Sequence, residues 1–402
     1  MCENSRYTPA LVRALASGTR TVSTLTLRFL DLVLQGLFPR PYPGVARHLQ
    51  RLLVVALALP PFACLQLLHW IGFALDEILF RGYRDIEIRQ PTFVLGVPRS
   101  GTTFLHRLLA HDPQFTTFST WECFFAPSIS ERYVCLACAR LDRLCGRPLG
   151  RLLGVLERRM FGWLDDVHPV SLAAPEEDYF IFLPLLRCFI LVVPFPRARW
   201  IWRMGTLDRD ASAAERDAVM NWYRRCLQRH LYVHGPGRSL LSKNAAFAGM
   251  ACSLRRTFPD ARLIVCERDA LQVVTSQFRA VSEGMKLFGV PLSDPGFRDN
   301  LLDCLQFYYR NLERLCAAAP PGQLRRVALP DLSARTAGTL RVLYAQLFDR
   351  PLPQPLLRAV DAYERGGRHV PASTAAGLAT WDIRPSDVHE RFAHWCDAGG
   401  CA

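Results

Sequence analysis

The stretch FVLGVPRSGTTFLH, residues 93–106, constrains the fold of this chain more than any other segment. Residues 91–97 are a short apolar run bounded by proline and glycine, which predicts a buried strand. Residues 102–111 follow at helical spacing. A second apolar run at 261–266 leads into a helix predicted over about residues 270–285. Strand, tight loop and helix repeated in this order are typical of a parallel sheet with crossover helices.

The loop between the first strand and its helix has the spacing of a nucleotide-binding P-loop. From Gly96 it reads G-V-P-R-S-G-T-T, which fits G-x-x-x-x-G-K-[ST] except that Thr102 replaces the lysine. Gly96 and Gly101 allow a tight turn, and the amides that open the next helix point at a ligand, so the loop predicts an anion site. The expected fold class is α/β: a P-loop-type parallel sheet flanked by helices, with an N-terminal apolar helical region.

The absence of the lysine restricts which anion fits the loop. In nucleoside triphosphate sites that lysine contacts the β and γ phosphates, and the hydroxyl after it holds magnesium. A ligand with a single 5′ phosphate needs only the loop amides, the hydroxyls of Ser100, Thr102 and Thr103, and one cation where the bond breaks. Arg99, which projects from the loop, is placed to be that cation.

Charge and cysteine content narrow the functional classes. The 402 residues carry a formal net charge of +13, which suits an anionic ligand or membrane surface. No nucleic-acid partner is expected, because no basic tail, zinc finger or base-stacking motif accompanies the charge. The 14 cysteines are irregularly spaced. Cys135, Cys138 and Cys145 form at most half a metal site, because no second CxxC or paired histidine lies at ligand spacing.

The N-terminal region is strongly apolar. Residues 52–75 contain no formally charged residue and are long enough to cross a bilayer, but Pro60 and Pro61 are expected to break or sharply kink the helix. The alternatives are a kinked span and two short helices in one leaflet, and the amphipathic residues 25–38 suit the second. Packing on the rest of the protein is the structural alternative. The sequence favours membrane contact through residues 25–75, at an endomembrane such as the Golgi, with the cytoplasmic face left open.

Two separated segments resemble one known family. P-R-S-G-T-T-F-L-H at 98–106 resembles the 5′-phosphosulfate loop of sulfotransferases that use 3′-phosphoadenosine 5′-phosphosulfate (PAPS), in the arginine version found in tyrosylprotein, many carbohydrate and a broad group of microbial enzymes. The resemblance implies an arginine and a serine eight residues apart that contact the 3′ phosphate, and Arg268 and Ser276 fit that pattern. It covers residues 88–402, the expected catalytic domain, and leaves 1–87 as an N-terminal helical region.

Three further segments fit the resemblance. Trp121-Glu122 resembles the W-E that follows the loop in the microbial group, and an acidic residue near this place is the catalytic base of tyrosylprotein sulfotransferases. Residues 242–244, Ser-Lys-Asn, resemble the K-x-P element ahead of the 3′ site, with Ala245 where proline is usual. Residues 175–178, Pro-Glu-Glu-Asp, preceded by His168, resemble an acidic element that faces the acceptor.

The resemblance implies in-line transfer of a sulfuryl group from PAPS to a hydroxyl of the acceptor. Arg99 and Lys243 would neutralise charge on the leaving phosphate, and a carboxylate or imidazole would take the acceptor proton. Glu122 is the first candidate for this base, with His168 and Glu176 behind it. No metal is expected, because two cationic side chains replace magnesium. The implied cofactor-binding residues are Arg99, Ser100, Gly101, Thr102, Thr103, Arg268 and Ser276.

These residues also have structural alternatives. Arg268 followed by Asp269 is the pattern of a strand end with an N-capping aspartate. Lys243 and the carboxylates at 176–178 are, judged singly, equally consistent with surface ion pairs. His168 before a proline suits a turn.

Two other functions stay open at this point. A P-loop kinase or NTPase with a degenerate loop would depend on magnesium and would want a lysine near Thr102. A non-enzymatic membrane adaptor would bind a nucleotide or anionic headgroup without turnover, and Glu122 would be dispensable. The acceptor itself is not fixed by the sequence: a lipid, a sterol, a glycan and a protein tyrosine all remain open.

Overall fold

The computed structural model describes residues 8–38, 45–161, 171–366 and 375–396. The strands are β1 (Thr92–Gly96), β2 (Phe115–Thr116), β3 (Ser239–Lys243), β4 (Arg262–Glu267) and β5 (Leu324–Ala328). The α-helices are α1 (Thr8–Leu37), α2 (Val45–Leu79), α3 (Thr102–Leu109), α4 (Thr120–Phe125), α5 (Ile129–Leu144), α6 (Pro148–Phe161), α7 (Arg199–Gly205), α8 (Leu207–Asp210), α9 (Ala213–His234), α10 (Ala251–Thr257), α11 (Ala270–Leu287), α12 (Pro295–Ala318), α13 (Leu329–Ala334), α14 (Thr336–Leu343), α15 (Gln354–Arg365), α16 (Pro385–Arg391) and α17 (Ala393–Cys396). Short 3-10 helices cover Arg81–Asp85, Asp178–Leu185, Phe189–Val192, Ala245–Met250 and Ala375–Trp381, and a π-helix covers Tyr344–Phe348.

The sheet is parallel, with its strands in the spatial order β2-β3-β1-β4-β5. β1 is central: Thr92 lies opposite Leu241 of β3 on one side and Arg262 of β4 on the other. The chain places β2 and β3 on one side of β1 and then crosses to β4. The carboxyl end of β1 therefore lies where the strand order reverses, which is where open α/β sheets bind ligands. The α/β prediction is confirmed.

Alternation along the strands divides the core between the two faces of the sheet. Phe93 and Leu95 of β1 point into one apolar cluster, in which Tyr223 of α9 is fully buried. Val94 points into the other, which holds Leu105 of α3. Because β1 is covered on both faces, every one of its residues is apolar or small enough to be buried. The central strand is thus a rigid support for the loop that follows it.

The two N-terminal helices expose most of their apolar surface. α2 continues through Pro60 and Pro61, so the break expected from these prolines is wrong. Two prolines remove only two backbone donors, and the hydrogen bonds on either side keep the helix continuous. In the described part of the chain, Ala46–Leu79 is the one helix long and apolar enough to cross a membrane, and only 17% of its most apolar window is buried. The large apolar side chains exposed on α1 and α2 are Leu27, Leu30, Leu34, Leu37, Leu49, Leu53, Leu57, Leu67, Leu68, Ile71, Leu75, Ile78 and Leu79.

A buried carboxylate fixes the C-terminal end of α2. Asp76 is fully buried and accepts hydrogen bonds from the amides of Ile129 and Ser130 at the start of α5, both at 2.9 Å. Arg229 of α9 donates to the same carboxylate, also at 2.9 Å. Because an aspartate is favourable at a helix N-terminus and a buried charge needs a partner, Asp76 joins α2, α5 and α9 at one point.

A buried arginine fixes the other end of α2. Arg51 donates to the carbonyls of Pro194 (2.8 Å) and Phe288 (3.0 Å). It also donates to the carbonyl of Gln35 in α1, at 3.2 Å. Pro194 follows the 3-10 helix Phe189–Val192 and Phe288 follows α11, so one side chain connects both N-terminal helices to two segments of the globular body.

Candidate active site

Backbone geometry explains the glycines of the loop after β1. A Cβ on Gly96 would lie 2.5 Å from Ser100 Oγ and 2.8 Å from the Cys266 carbonyl. Gly101 has a φ of +88°, and a Cβ there would lie 2.6 Å from Leu329. Any larger residue at either position would displace the loop or the neighbouring chain. Arg99 itself has a φ of +68°, an uncommon conformation for a non-glycine residue and one that occurs at ligand-binding loops.

The loop leaves the N-terminus of α3 without a side-chain cap. The residue before the helix is Gly101, which has no side chain to accept from the first amides. Ser100 is fully buried, and its hydroxyl donates to the carbonyl of Val97 at 2.7 Å, inside the loop. Thr102 and Thr103 follow in the first turn and line the adjacent cavity. Uncapped amides with the helix dipole behind them form a site for an anion.

The loop and the junction after β4 lie in direct contact. Arg268 Nη1 donates to the carbonyl of Arg99 at 2.7 Å, across 169 residues of sequence. In return, Arg99 Nε donates to the hydroxyl of Ser276 in α11 at 3.0 Å. The three residues that the sequence places in two signatures are therefore one cluster, since β1 and β4 are neighbours whose carboxyl ends meet at the same edge.

The cluster concentrates positive charge. Burial lowers the pKa of Arg99, and the charge of Arg279, one turn beyond Ser276, lowers it further. Burial also lowers the pKa of Arg268, with Arg99 as the next cause. Within the described ranges, neither Arg99 nor Arg268 has a carboxylate oxygen within ion-pair distance. Glu177 raises the pKa of Arg99 and Asp269 raises that of Arg268, each by less than burial lowers it. Cations held together without a directly contacting carboxylate favour an anionic ligand.

A cavity of about 340 Å³ opens beside the cluster. Its lining includes Arg99, the glycine and threonines of the loop, and Arg268. It also includes apolar residues of the segment 189–193 and of α11 and α12, which together are called the apolar wall. Glu177 is part of the same lining. The cavity thus combines cationic and apolar residues.

Lys243 ends β3 and is 1% exposed. Its amino group forms an ion pair with Glu177. Glu176, the residue named by the sequence pattern, instead accepts from Thr120 at 3.3 Å and from the amide of Glu177 at 2.9 Å. The acidic element 175–178 therefore does lie against β3, but the carboxylate that meets the lysine and the cavity is Glu177.

A second carboxylate of this element is fully buried behind the ion pair. Asp178 accepts from the hydroxyl of Tyr223 at 2.6 Å, and that hydroxyl also lies 2.9 Å from Ser242 Oγ. The other oxygen of Asp178 has no hydrogen-bond partner in the described parts of the chain. Burial raises the pKa of Asp178 to about 7. This aspartate is therefore largely protonated below neutral pH.

Glu122, the first candidate for the base, lies in a different environment. It is 2% exposed and is not part of the cavity lining. One oxygen accepts from the amide (2.9 Å) and hydroxyl (2.6 Å) of Ser119 in a capping box at the start of α4. The other accepts from His234 Nε2 at 2.6 Å. Burial alone would raise its pKa, but His230 and Arg132 hold the pKa of Glu122 well below its usual range, and so its carboxylate is a weak proton acceptor.

Glu122, His230 and His234 are also the one group of three described residues whose side-chain atoms lie close enough to share a metal ion. His230 and His234 are four residues apart on α9, a spacing common among zinc ligands. Arg132, however, is fully buried with its Nε 3.6 Å from the same carboxylate oxygen. The guanidinium already balances the charge of Glu122, so a divalent cation there would meet a buried positive charge.

The sequence patterns did not predict every residue of the candidate site. His168 lies outside the described residues. Glu177 was visible only as part of an acidic run, and Arg279 carries no sequence signal, because it is a single residue on a long helix. The structural role of Glu122 did have a signal, since residues 119–122 read S-x-x-E, the capping-box pattern.

Known proteins resemble this chain in sequence profile and in overall fold. The sequence profile of a family described as "Sulfotransferase family" matches residues 91–349. Sulfotransferase STF1 from Mycobacterium tuberculosis H37Rv superposes with a TM-score of 0.65 at 19% identity, over 91% of this chain and 91% of that one. Sulfotransferase STF9 from Mycobacterium avium superposes with a TM-score of 0.67 at 18% identity, over 92% and 90%. Among curated protein sequences no match is found.

Asp178 makes a pH dependence of stability testable. Because its pKa is about 7 in the folded protein against 3.8 unfolded, its stabilising contribution is complete below pH 3.8 and is lost as the pH rises through about 7. Between pH 5 and pH 8 the wild type should lose up to about 3 kcal/mol that an Asp178→Asn variant does not lose. Thermal unfolding at stepped pH measures the difference.

An Asp299→Asn variant, at a carboxylate whose side chain is 62% exposed, is the control and should follow the wild type at every pH. Parallel Tm curves for the wild type and Asp178→Asn would contradict the raised pKa.

Proposed function

Because the chain belongs to the sulfotransferase family, we propose that it transfers a sulfuryl group from PAPS to an acceptor hydroxyl. The observation that carries the proposal is the bond from Arg268 to the carbonyl of Arg99, at 2.7 Å. It joins the two segments that resemble the 5′ and 3′ phosphate sites at the mouth of one cavity. A ligand with phosphate groups at both ends of a ribose is matched to two such sites.

Features of the loop itself support PAPS as the donor. The loop has no room for a side chain at Gly96 and Gly101, so backbone approaches the ligand closely. Its amides lack a side-chain cap, and Arg99 and Arg268 lack carboxylate partners within the described ranges. Arg99, Ser100, Gly101, Thr102 and Thr103 would hold the 5′ end, and Arg268 and Ser276 the 3′ phosphate. PAPS, when bound, supplies the sulfuryl group and a phosphate leaving group.

The residues of the chain then act by position and charge. Arg99 stabilises negative charge that develops at the 5′ end, and the α3 amides add preorganised dipoles. Lys243 is held at the carboxyl end of β3 by its ion pair with Glu177. Because Lys243 is buried and paired, it fixes the orientation of this carboxylate toward the cavity.

Glu177 is the carboxylate best placed to take the acceptor proton. It lines the cavity and its side chain is 20% exposed, whereas both oxygens of Glu122 are occupied by Ser119 and His234. Glu176 is bound to Thr120 and stays the second candidate, and His168 lies outside the described residues. An alcohol needs a base within hydrogen-bond reach, and this favours the residue that meets the cavity.

The family assignment does not favour the kinase alternative. The position of the P-loop lysine is Thr102, and Lys243, from another strand, is occupied by Glu177. Measuring turnover as well as nucleotide binding, as described below, distinguishes an enzyme from a membrane adaptor that only binds.

We also infer that residues 25–75 contact a membrane from one side, without crossing it. Arg51 and Asp76 sit at the two ends of the apolar stretch, about 37 Å apart along a helix, which exceeds the hydrocarbon thickness of about 30 Å. Both are buried against the same globular body. Between them, Trp70 donates to the carbonyl of Pro184 at 3.0 Å. A helix fixed to the body along its length lies in the plane of a bilayer.

α5 and α6 extend this apolar surface and add basic charge. α5 is joined to α2 by His69, which lies 2.6 Å from Glu131. The exposed apolar residues are Val134, Leu136, Leu141, Leu144, Leu149, Leu152, Leu153 and Val155. The exposed arginines beside them are Arg140, Arg143, Arg147 and Arg151. Leucines with arginines on neighbouring faces suit anionic lipid headgroups.

Nucleotide binding is the first prediction. The wild type should bind 3′-phosphoadenosine 5′-phosphate without magnesium, measured by titration calorimetry. Arg99→Ala and Arg268→Ala should each weaken binding by at least about tenfold, because each removes a cation from a phosphate site. Arg358→Ala, at an exposed arginine of α15, should leave binding unchanged. Failure of a folded wild type to bind, or binding only of ATP with magnesium, would overturn the proposal.

The second prediction identifies the base. Glu177→Gln should lower kcat of sulfate transfer from PAPS by about 100-fold or more, with nucleotide affinity unchanged. Glu122→Gln should retain most of kcat but lower Tm, because it leaves the buried Arg132 unpaired. Glu176→Gln should fall between them. Loss of turnover in Glu122→Gln at unchanged Tm would instead assign the base to Glu122.

The third prediction concerns the membrane. The protein should float with vesicles of phosphatidylcholine and phosphatidylglycerol, and less with phosphatidylcholine alone. The triple change Leu53→Gln, Leu57→Gln, Leu67→Gln, at residues 61%, 68% and 63% exposed, should reduce flotation severalfold. Val342→Gln, at a residue 55% exposed on α14, is the control. Equal flotation of all three proteins would contradict membrane contact through α2.

A further inference from the structure

The apolar wall of the cavity indicates what kind of acceptor fits it. The wall consists of Phe189, Ile190, Val192 and Val193, of Ala280 and Val281 of α11, and of Phe297 and Leu301 of α12. Apart from the phosphate loop, Arg268 and Glu177, the polar residues of the described lining are Tyr179, Gln277 and Tyr308. A molecule with many hydroxyls would lose its hydration here with few partners in exchange.

The apolar wall is continuous in structure with the N-terminal helices. Arg51 of α2 donates to Pro194, directly after Val193, and to Phe288, at the end of α11. Gln50 donates to the carbonyl of Leu287 at 3.2 Å. Leu287 is 48% exposed and Ile190, on the cavity lining, is 43% exposed. Both segments that form the wall thus end beside the exposed leucines of α2.

We propose that the acceptor is an alcohol with a largely hydrocarbon skeleton, taken from a lipid phase. This rests on the sulfotransferase function proposed above. Transfer forms a bond from sulfur to the alcohol oxygen, breaks the bond from sulfur to the 5′-phosphate oxygen, and moves the hydroxyl proton to a carboxylate of the chain. The product is an alkyl sulfate, whose new charge disfavours the apolar wall and so favours release.

The first experiment compares acceptors. The full chain is given ³⁵S-labelled PAPS with 1-hexadecanol in phosphatidylcholine vesicles, with trehalose, or with a tyrosine peptide, and label in the organic and aqueous phases is counted. Hexadecanol should be sulfated with a kcat/KM at least about tenfold above the other two. Equal or faster labelling of the sugar or the peptide would overturn the proposal. Calorimetry with 3′-phosphoadenosine 5′-phosphate is run in parallel: if that ligand does not bind, the sulfotransferase proposal fails, and not the choice of acceptor.

The second experiment tests the apolar wall. Val281→Thr, an isosteric change that places a polar side chain on the cavity lining, should raise KM for hexadecanol at unchanged nucleotide affinity. Val342→Thr, at a residue 55% exposed on α14, is the matched control. An unchanged KM in Val281→Thr would contradict a hydrocarbon acceptor at this wall.

Discussion

The hydrogen bond from Arg268 to the backbone of Arg99 is the interaction on which the site depends. Burial and then the charge of Arg99 lower the pKa of Arg268. β1 and β4 hold the two residues in place, because these strands are adjacent, buried and paired along their length. The sheet thus supports a group of like charges that favours an anionic ligand.

Local sequence patterns were sufficient to predict the fold around this site, but not the surroundings of its charged residues. The strand, the loop and α3 follow from glycine spacing and apolar runs, because each depends on neighbours in sequence. Glu122 shows the limit. The letters W-E point to a catalytic carboxylate, yet its environment is made by Arg132 on α5 and His230 and His234 on α9, which only the folded chain brings together. Glu176 and Glu177 show the same limit at a finer scale, because adjacent residues of an extended segment face different ways.

The N-terminal region shows a different limit. The two prolines predicted a break in the helix, but α2 is continuous. What decides its arrangement is long-range: buried Arg51 and Asp76 attach its two ends to the body. Hydropathy identifies a segment that avoids water, and it carries no information on which tertiary contacts hold it. The division of the chain at residue 87 remains a prediction, because these contacts join α2 closely to the residues that follow.

Arg51 connects the N-terminal helix α2 to the segments that line the cavity. Its hydrogen bonds end on the carbonyls after the 3-10 helix Phe189–Val192 and after α11, and these segments form the apolar wall of the cavity. A side chain in α2 therefore fixes the spacing of that wall. The proposed function uses both groups of lining residues: the arginines would bind a charged donor, and the apolar residues joined to α2 would contact the acceptor.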